Sequence, residues 1–176
     1  MGQRSILIKG GLLSGLVFIL SWVVFHWLYV AGKDQPEFGS GESLGYLTML
    51  IALSTVYFSV RSYRDSQLGG HISFKEAFLN GMLVVMVASL FYVLSWMVYY
   101  PNFIPDFMEE YSKMELDALR AAGISGDELA MKQKEMAEFK VSYENPFFMA
   151  GVTFLEIFPV GLLVALFSAL LLKRRP

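Results

Sequence analysis

Long apolar stretches alternate with shorter polar segments along most of this chain. Four of the stretches reach the roughly 17 to 25 residues that an α-helix needs to cross a bilayer: 11–31, 44–60, 77–100 and 147–172. The pattern therefore predicts an all-α, polytopic membrane protein. Its four transmembrane helices are expected to form a single membrane domain over 1–176.

The polar segment between the third and fourth stretches is too long for a simple connection. Capping and turn residues punctuate it: Pro105-Asp106, Ala121-Ala122-Gly123, Ser125 with Glu128, and Asn145-Pro146. An apolar stripe follows the helical repeat, with members Phe107, Tyr111, Met114, Leu119, Leu129, Met136, Phe139 and Tyr143. We therefore predict a helical hairpin over 105–145. The hairpin is expected to pack its stripe on the rim of the bundle, to form a docking surface for another protein, or both, since the two uses are compatible.

Composition supports a membrane protein and removes several kinds of chemistry. The chain is 55% hydrophobic and only 17% charged, whereas soluble domains have about 25% charged residues. It has no cysteine, which excludes disulfides, thiolate metal sites and cysteine nucleophiles. His26 and His71 have no metal-binding neighbour at a suitable spacing. We therefore expect neither a metal site nor a cofactor.

Positive charges are sorted to one side of the predicted membrane helices. The segments before the first stretch, between the second and third, and after the fourth contain Arg4, Lys9, Arg61, Arg64, Lys75, Lys173, Arg174 and Arg175. The other two connections contain six Lys and Arg residues against thirteen Asp and Glu residues. Because cytoplasmic loops carry an excess of Lys and Arg, we predict that both termini are cytoplasmic and that the hairpin is extracytoplasmic. A negatively charged outer surface also argues against nucleic-acid binding.

Aromatic residues gather at the predicted outer ends of the first and third stretches: Trp22, Trp27, Tyr29, Trp96, Tyr99 and Tyr100. Amphipathic rings prefer the level of the lipid headgroups. The pattern therefore favours a belt at the membrane interface over an aromatic cage for a ligand.

Glu156 is the strongest candidate site residue, because it lies inside the last apolar stretch. An ionisable side chain at bilayer depth costs at least a few kcal/mol and usually faces a bundle interior or a wet cavity. Pro159 follows one turn later and predicts a helix kink beside it. Glu42, at the outer start of the second stretch, is a lesser candidate. We expect a binding site at Glu156, Pro159 and Glu42, with no catalytic residues.

The partner of Glu156 is expected to come from another helix. A snorkelling Lys or Arg would serve, and so would one of several hydroxyl groups: Ser54, Tyr57, Ser89, Tyr92 or Ser95. Desolvation favours the neutral form of the carboxyl. A hydrogen-bonded Glu156 that only locks the bundle together is therefore an equal alternative to a working site.

Small residues recur on two of the predicted helices at four-residue spacing. Gly11 and Gly15 form a GxxxG motif, and Gly161, Ala165 and Ala169 form a second stripe. Both allow helices to approach closely in lipid. The approach could occur within one chain or between two copies, and the sequence leaves a homodimer open.

Motifs of catalysis are missing from the sequence. It contains no HExxH, no GxSxG and no pair of carboxylates in one apolar stretch. It also has no Walker-type Gly-Lys-Ser/Thr after Gly69-Gly70. An enzyme is therefore not expected.

Six strings in order along the chain carry a family resemblance: Gly41-Glu42-Ser43-Leu44-Gly45-Tyr46, Tyr63-Arg64-Asp65, Gly69-Gly70-His71-Ile72-Ser73-Phe74, Ser95-Trp96-Met97-Val98-Tyr99-Tyr100, Pro105-Asp106-Phe107-Met108 and Phe154-Leu155-Glu156-Ile157-Phe158-Pro159-Val160-Gly161-Leu162. With them the chain resembles DUF4199, a bacterial membrane-protein family of unknown function found mainly in Bacteroidetes. The resemblance implies a four-helix protein of the inner membrane with no assigned activity. It brings no catalytic residues.

Two functions follow as hypotheses. The first is a non-enzymatic accessory or scaffold subunit of the inner membrane, which binds a membrane-protein partner or a second copy of itself. The structured hairpin, the small-residue stripes and the missing catalytic motifs favour it. The second is a small proton- or cation-coupled transporter or channel that uses Glu156.

Overall fold

The computed structural model describes residues 5–31 and 38–174, with 38–44 described for the backbone alone. These residues contain six α-helices, a π-helical turn that extends the first of them, and no strand. The helices are α1 (Ser5–Phe25), α2 (Phe38–Gln67), α3 (Phe74–Phe103), α4 (Phe107–Ala121), α5 (Gly126–Tyr143) and α6 (Pro146–Leu172), and the π-helical turn is His26–Val30. The prediction of an all-α protein is confirmed.

Each of the four predicted apolar stretches falls on a helix that begins earlier or ends later than predicted. Three described helical segments are long and apolar enough to cross a membrane: Ser5–Val30, Phe74–Phe103 and Pro146–Leu172. Helix α2 encloses the stretch predicted at 44–60 but is not among these three.

Side chains cap two of the helix starts. The Ser73 side chain accepts a hydrogen bond from the Glu76 backbone N–H at 3.2 Å, and Asn145 accepts one from Phe147 at 2.9 Å. At α5, Ser125 occupies the capping position, but its side chain makes no capping hydrogen bond. That part of the predicted capping box is wrong, because Gly126 has a φ of 64° where a first helical residue normally has helical dihedrals.

Helix α3 lies at the centre of the bundle, where glycines let its neighbours approach closely. A Cβ on Gly11 of α1 would lie 2.5 Å from the Val87 Cβ, and one on Gly161 of α6 would lie 2.5 Å from a Val85 methyl carbon. Gly15 faces the ring of Phe91 in the same way. Both small-residue motifs are therefore used within one chain. They give no separate support to a homodimer.

The end of the bundle far from the hairpin is fastened by Arg64. This side chain is only 5% exposed, and its guanidinium donates to the Leu172 carbonyl at 3.2 Å and to Asp65 at 2.7 Å. The hydrogen bond to Asp65 raises the pKa of Arg64, so the guanidinium stays charged. Arg64 was counted above only among the positive charges that predict the membrane orientation. In the structure it also supplies a hydrogen-bond donor to a carbonyl at the end of α6.

The same end is also closed by the backbone. The Ile72 N–H donates to the Arg174 carbonyl at 3.0 Å, and the Arg174 N–H donates back at 2.9 Å. This pair of bonds joins the α2–α3 connection to the residues that follow α6.

The predicted hairpin is formed by α4 and α5, and its aromatic stripe packs on the bundle. The Phe107 ring lies 5.5 Å from Trp96, and the Tyr143 ring lies 5.6 Å from Tyr100, measured between centroids. Of the two uses considered for the stripe, packing on the rim is therefore the one observed. Lys140 of α5 bonds Glu109 of α4 at 3.2 Å on the exposed side.

We expect Gly161→Ala to destabilise the protein, because its new methyl group meets Val85 at 2.5 Å. Overpacking of this kind costs about 1 to 3 kcal/mol. Gly151→Ala on the same helix is the matched control, since nothing lies within 4 Å of its Cβ position. Thermal unfolding of the purified protein in detergent measures both variants, and equal melting temperatures would contradict the close α3–α6 contact.

Candidate functional site

A cavity of about 350 Å³ lies where the hairpin meets the membrane helices. Side chains from all six helices line it, with Trp22 of α1, Trp96 of α3 and Tyr143 of α5 among them. Its volume falls in the range of about 300 to 1,000 Å³ that is typical of small-molecule sites. The hairpin stripe forms one wall, and the hairpin-side halves of the membrane helices form the others.

Glu156 of α6 lines this cavity and is exposed to it. The hydroxyl of Tyr92, which is only 5% exposed, lies close to its carboxyl and interacts with it. Tyr92 belongs to α3 and is one of the hydroxyls considered as a partner from another helix. By helix geometry, Glu156 lies about 5 Å from the midpoint of α6, on the hairpin side.

The other predicted hydroxyl partners are engaged elsewhere or lie apart. Ser54 donates to the Ile51 carbonyl of its own helix, and Ser95 donates to the Tyr92 carbonyl. Ser89 is fully buried, and its hydroxyl has no hydrogen-bond partner among the described residues. These three and Tyr57 are absent from the described lining of the cavity.

Tyr143 at the end of α5 holds the hairpin against α3. Its hydroxyl accepts a hydrogen bond from the Trp96 indole N–H at 2.8 Å, and both residues are buried. Burial raises the pKa of the Tyr143 hydroxyl, and the charge of Glu156 acts in the same direction. The hydroxyl is therefore neutral at physiological pH, and the cavity has a wall of neutral hydrogen-bonding groups beside one carboxyl.

Two of the tryptophan rings that were predicted to form an interface belt, those of Trp22 and Trp96, line the cavity instead. The Trp22 ring lies 5.0 Å from Trp96 and 5.7 Å from Tyr92, measured between centroids. The Trp22 N–H also donates to Ser95 at 3.0 Å. Trp27 is 72% exposed and fits the predicted belt. The belt is thus the wrong interpretation for Trp22 and Trp96, because their rings pack inward against other rings.

The other two predicted site residues are Pro159 and Glu42. Pro159 lies within α6, is exposed, and is absent from the described lining. Helix α6 continues through it to Leu172, and the kink stays a prediction. Glu42 lies in the part of α2 whose side chains are outside the described residues.

The described lining of the cavity is largely aromatic. It combines one carboxyl, several tyrosine hydroxyls and many aromatic rings. Among the described residues, no three His, Cys, Asp or Glu side chains are grouped as a metal site would require.

Sequence reasoning missed Tyr143 as a site residue and placed it only in the hairpin stripe. The available signal was its position just before Asn145-Pro146, where α6 begins. A side chain at that junction must lie close to the bundle.

We expect Tyr143→Phe to lower the free energy of unfolding by about 1 to 3 kcal/mol, because the buried Trp96 N–H loses its acceptor. Ser142→Ala is the control, since Ser142 bonds only the Glu138 carbonyl of its own helix. Unfolding in detergent, followed by Trp fluorescence, measures both variants. A Tyr143→Phe protein as stable as the Ser142→Ala protein would show that this bond does not hold the hairpin.

The sequence matches the family described as protein of unknown function (DUF4199) over residues 10–174. Because the match covers nearly the whole chain, the chain belongs to this family. No curated protein matches the chain. No solved structure matches it either.

Proposed function

We propose that this DUF4199 protein is a non-enzymatic, multi-pass protein of the bacterial inner membrane that binds a small ligand in the cavity around Glu156. The observation that carries the proposal is that Glu156, an exposed residue, lines a cavity of about 350 Å³ under the hairpin. The family has no assigned activity, so the support comes from the geometry of the site.

The position of Glu156 favours ligand binding over a purely structural role. A carboxyl at membrane depth costs a few kcal/mol. A residue that only held the helices together would offset that cost best if its side chain were fully buried among its neighbours. Glu156 has the Tyr92 hydroxyl as one partner and is nevertheless exposed to the cavity. A ligand in the cavity could therefore contact the carboxyl directly.

We propose α2 as a fourth membrane span beside the three apolar helices. Its buried side, which includes Ala52, Leu53 and Val56, packs in the core. Its other side is apolar as well as exposed, with members Leu47, Leu50, Ile51 and Phe58. An exposed apolar face of this kind is expected in contact with lipid.

The proposed orientation puts both termini in the cytoplasm and the hairpin outside. The sorting of Lys and Arg residues along the sequence supports it. Three of the charges involved, Arg4, Lys33 and Arg175, lie outside the described residues. The Arg64 end of the bundle is then cytoplasmic, and the cavity opens in the outer half of the membrane.

A second candidate is an accessory subunit that binds a membrane-protein partner. The hairpin favours it, because its aromatic stripe packs inward and its exposed side carries ion pairs such as Lys132 with Glu135 and Arg120 with Asp117. A partner would meet this charged side. The transport hypothesis has less support, because the core on the other side of Glu156 is filled by Ile157, Val84, Val85, Ala165 and Ala169, each with 0% exposure.

Single cysteines test the topology, since the natural chain has none. In spheroplasts, a membrane-impermeant maleimide should label Gln35→Cys and Gln133→Cys, and should label Gln67→Cys only after permeabilisation. Positions 35 and 67 flank α2, so labelling of both cysteines from the same side of the membrane would contradict the fourth span.

We expect the protein, purified from its native host in mild detergent, to carry a bound small molecule that native mass spectrometry detects. Val152→Trp should abolish this binding, because Val152 lines the cavity next to Glu156 and a larger side chain fills it. Gly151→Trp is the control, since position 151 has open space around its Cβ and is not among the described lining residues.

Two results would contradict the ligand-binding proposal. One is a wild-type protein that carries no small molecule, and the other is a molecule retained equally by Val152→Trp and Gly151→Trp. The same preparations, crosslinked before purification, address the second candidate. An enriched companion protein would support an accessory role, and its absence would count against that role.

A further inference from the structure

We infer that the ligand of the cavity around Glu156 is an amphipathic organic cation, in which one protonated or quaternary amine is joined to an apolar body. This inference rests on the proposed function, because it names the ligand class of the same site. Two features of the described cavity wall carry it together: the carboxyl of Glu156 and the large number of aromatic rings.

The charge of the wall favours a cation. Among the fifteen described residues that line the cavity, Glu156 has the one carboxyl and none has a basic side chain. The other polar side chains are neutral hydroxyls, including those of Tyr92 and Tyr143. A ligand amine near Glu156 would gain a charge-assisted hydrogen bond, about twice as strong as a neutral one. An anion would instead meet a carboxyl in a low dielectric, where repulsion is strong.

The aromatic wall favours an organic cation over a metal ion. Nine of the fifteen described lining residues are aromatic, and the faces of such rings attract ammonium groups within about 6 Å. Trp22, Trp96 and Tyr92 lie together around this wall, with neighbouring centroids 5.0 and 5.7 Å apart. A calcium ion, by contrast, needs about six to eight oxygen ligands. One carboxyl and a few tyrosine hydroxyls are a poor set for it.

The hairpin charge is complementary to the same ligand class. Residues 105–145 contain ten Asp and Glu residues against five Lys and Arg residues. A surface with this balance raises the local concentration of cations and speeds their association. Because α4 and α5 also supply the cavity wall, the acidic surface and the site belong to one unit.

Isothermal titration of the purified full chain in detergent tests the inference, with benzyltrimethylammonium as the probe. Benzylsulfonate is the matched comparator, because it has nearly the same shape and the opposite charge. We expect the cation to bind and the sulfonate not to bind at 10 mM or below, a range set by the probe concentration used. Glu156→Gln should weaken cation binding by roughly tenfold or more.

Glu156→Asp keeps the charge and should retain most of the binding. Comparison with Glu156→Gln therefore shows whether binding is lost because the charge is lost or because the protein misfolds. Trp22→Leu should weaken binding of the cation by about fivefold, which is the effect expected from the loss of one cation–π contact. Trp27→Leu should leave it unchanged, because Trp27 is 72% exposed and is not among the described lining residues.

Several results would overturn the inference. They are tighter binding of benzylsulfonate, no binding of the cation, equal losses in Glu156→Gln and Glu156→Asp, and equal effects of Trp22→Leu and Trp27→Leu. A neutral or acidic molecule that is bound to the wild-type protein and lost from Val152→Trp would show that the ligand is not a cation. The proposed ligand-binding function would then still stand. Failure to find either a bound molecule or probe binding would overturn both.

Discussion

The close approach of α3 and α6 is the constraint on which the site depends. It is possible because Gly161 has no side chain where Val85 packs. Gly81 makes a similar contact with α6, since a Cβ at Gly81 would lie 3.3 Å from the Ala165 Cβ. Tyr92 lies two helical turns beyond Val85, toward the hairpin, and Glu156 lies about one and a half turns beyond Gly161 in the same direction. The glycine contact therefore places a hydroxyl of α3 beside a carboxyl of α6.

Beyond that contact the helices no longer fill the space between them, and the hairpin closes it. The Trp96 indole and the Tyr143 hydroxyl tie the end of α5 to α3, so the junction that starts α6 also positions the roof of the cavity. A ligand would consequently touch both the membrane helices and the hairpin. The residues that would contact such a ligand are thus also residues that hold the hairpin against the bundle.

The sequence singles out Glu156, around which the proposed site is built, but indicates only part of its surroundings. Glu156 was identifiable because a carboxyl in an apolar stretch is costly wherever the helix packs. Tyr92 was one of several hydroxyls that could equally have been the partner of Glu156. Which hydroxyl of another helix lies beside Glu156 depends on how both helices are rotated and how deep they lie in the bundle. Trp22 and Trp96 were misassigned, because an amphipathic ring near a helix end has the same pattern at a lipid interface and in a cavity wall.

The sequence by itself determined the helices and the hairpin, since apolar runs and turn residues act over a few neighbouring positions. It also identified Glu156 as costly and identified the small-residue stripes as places of close packing. Only the tertiary structure decided that those stripes pack within one chain, that Arg64 fastens the end of α6, and that Tyr143 joins the site. These contacts join residues far apart in the chain, and they depend on how whole helices pack, which no local pattern specifies.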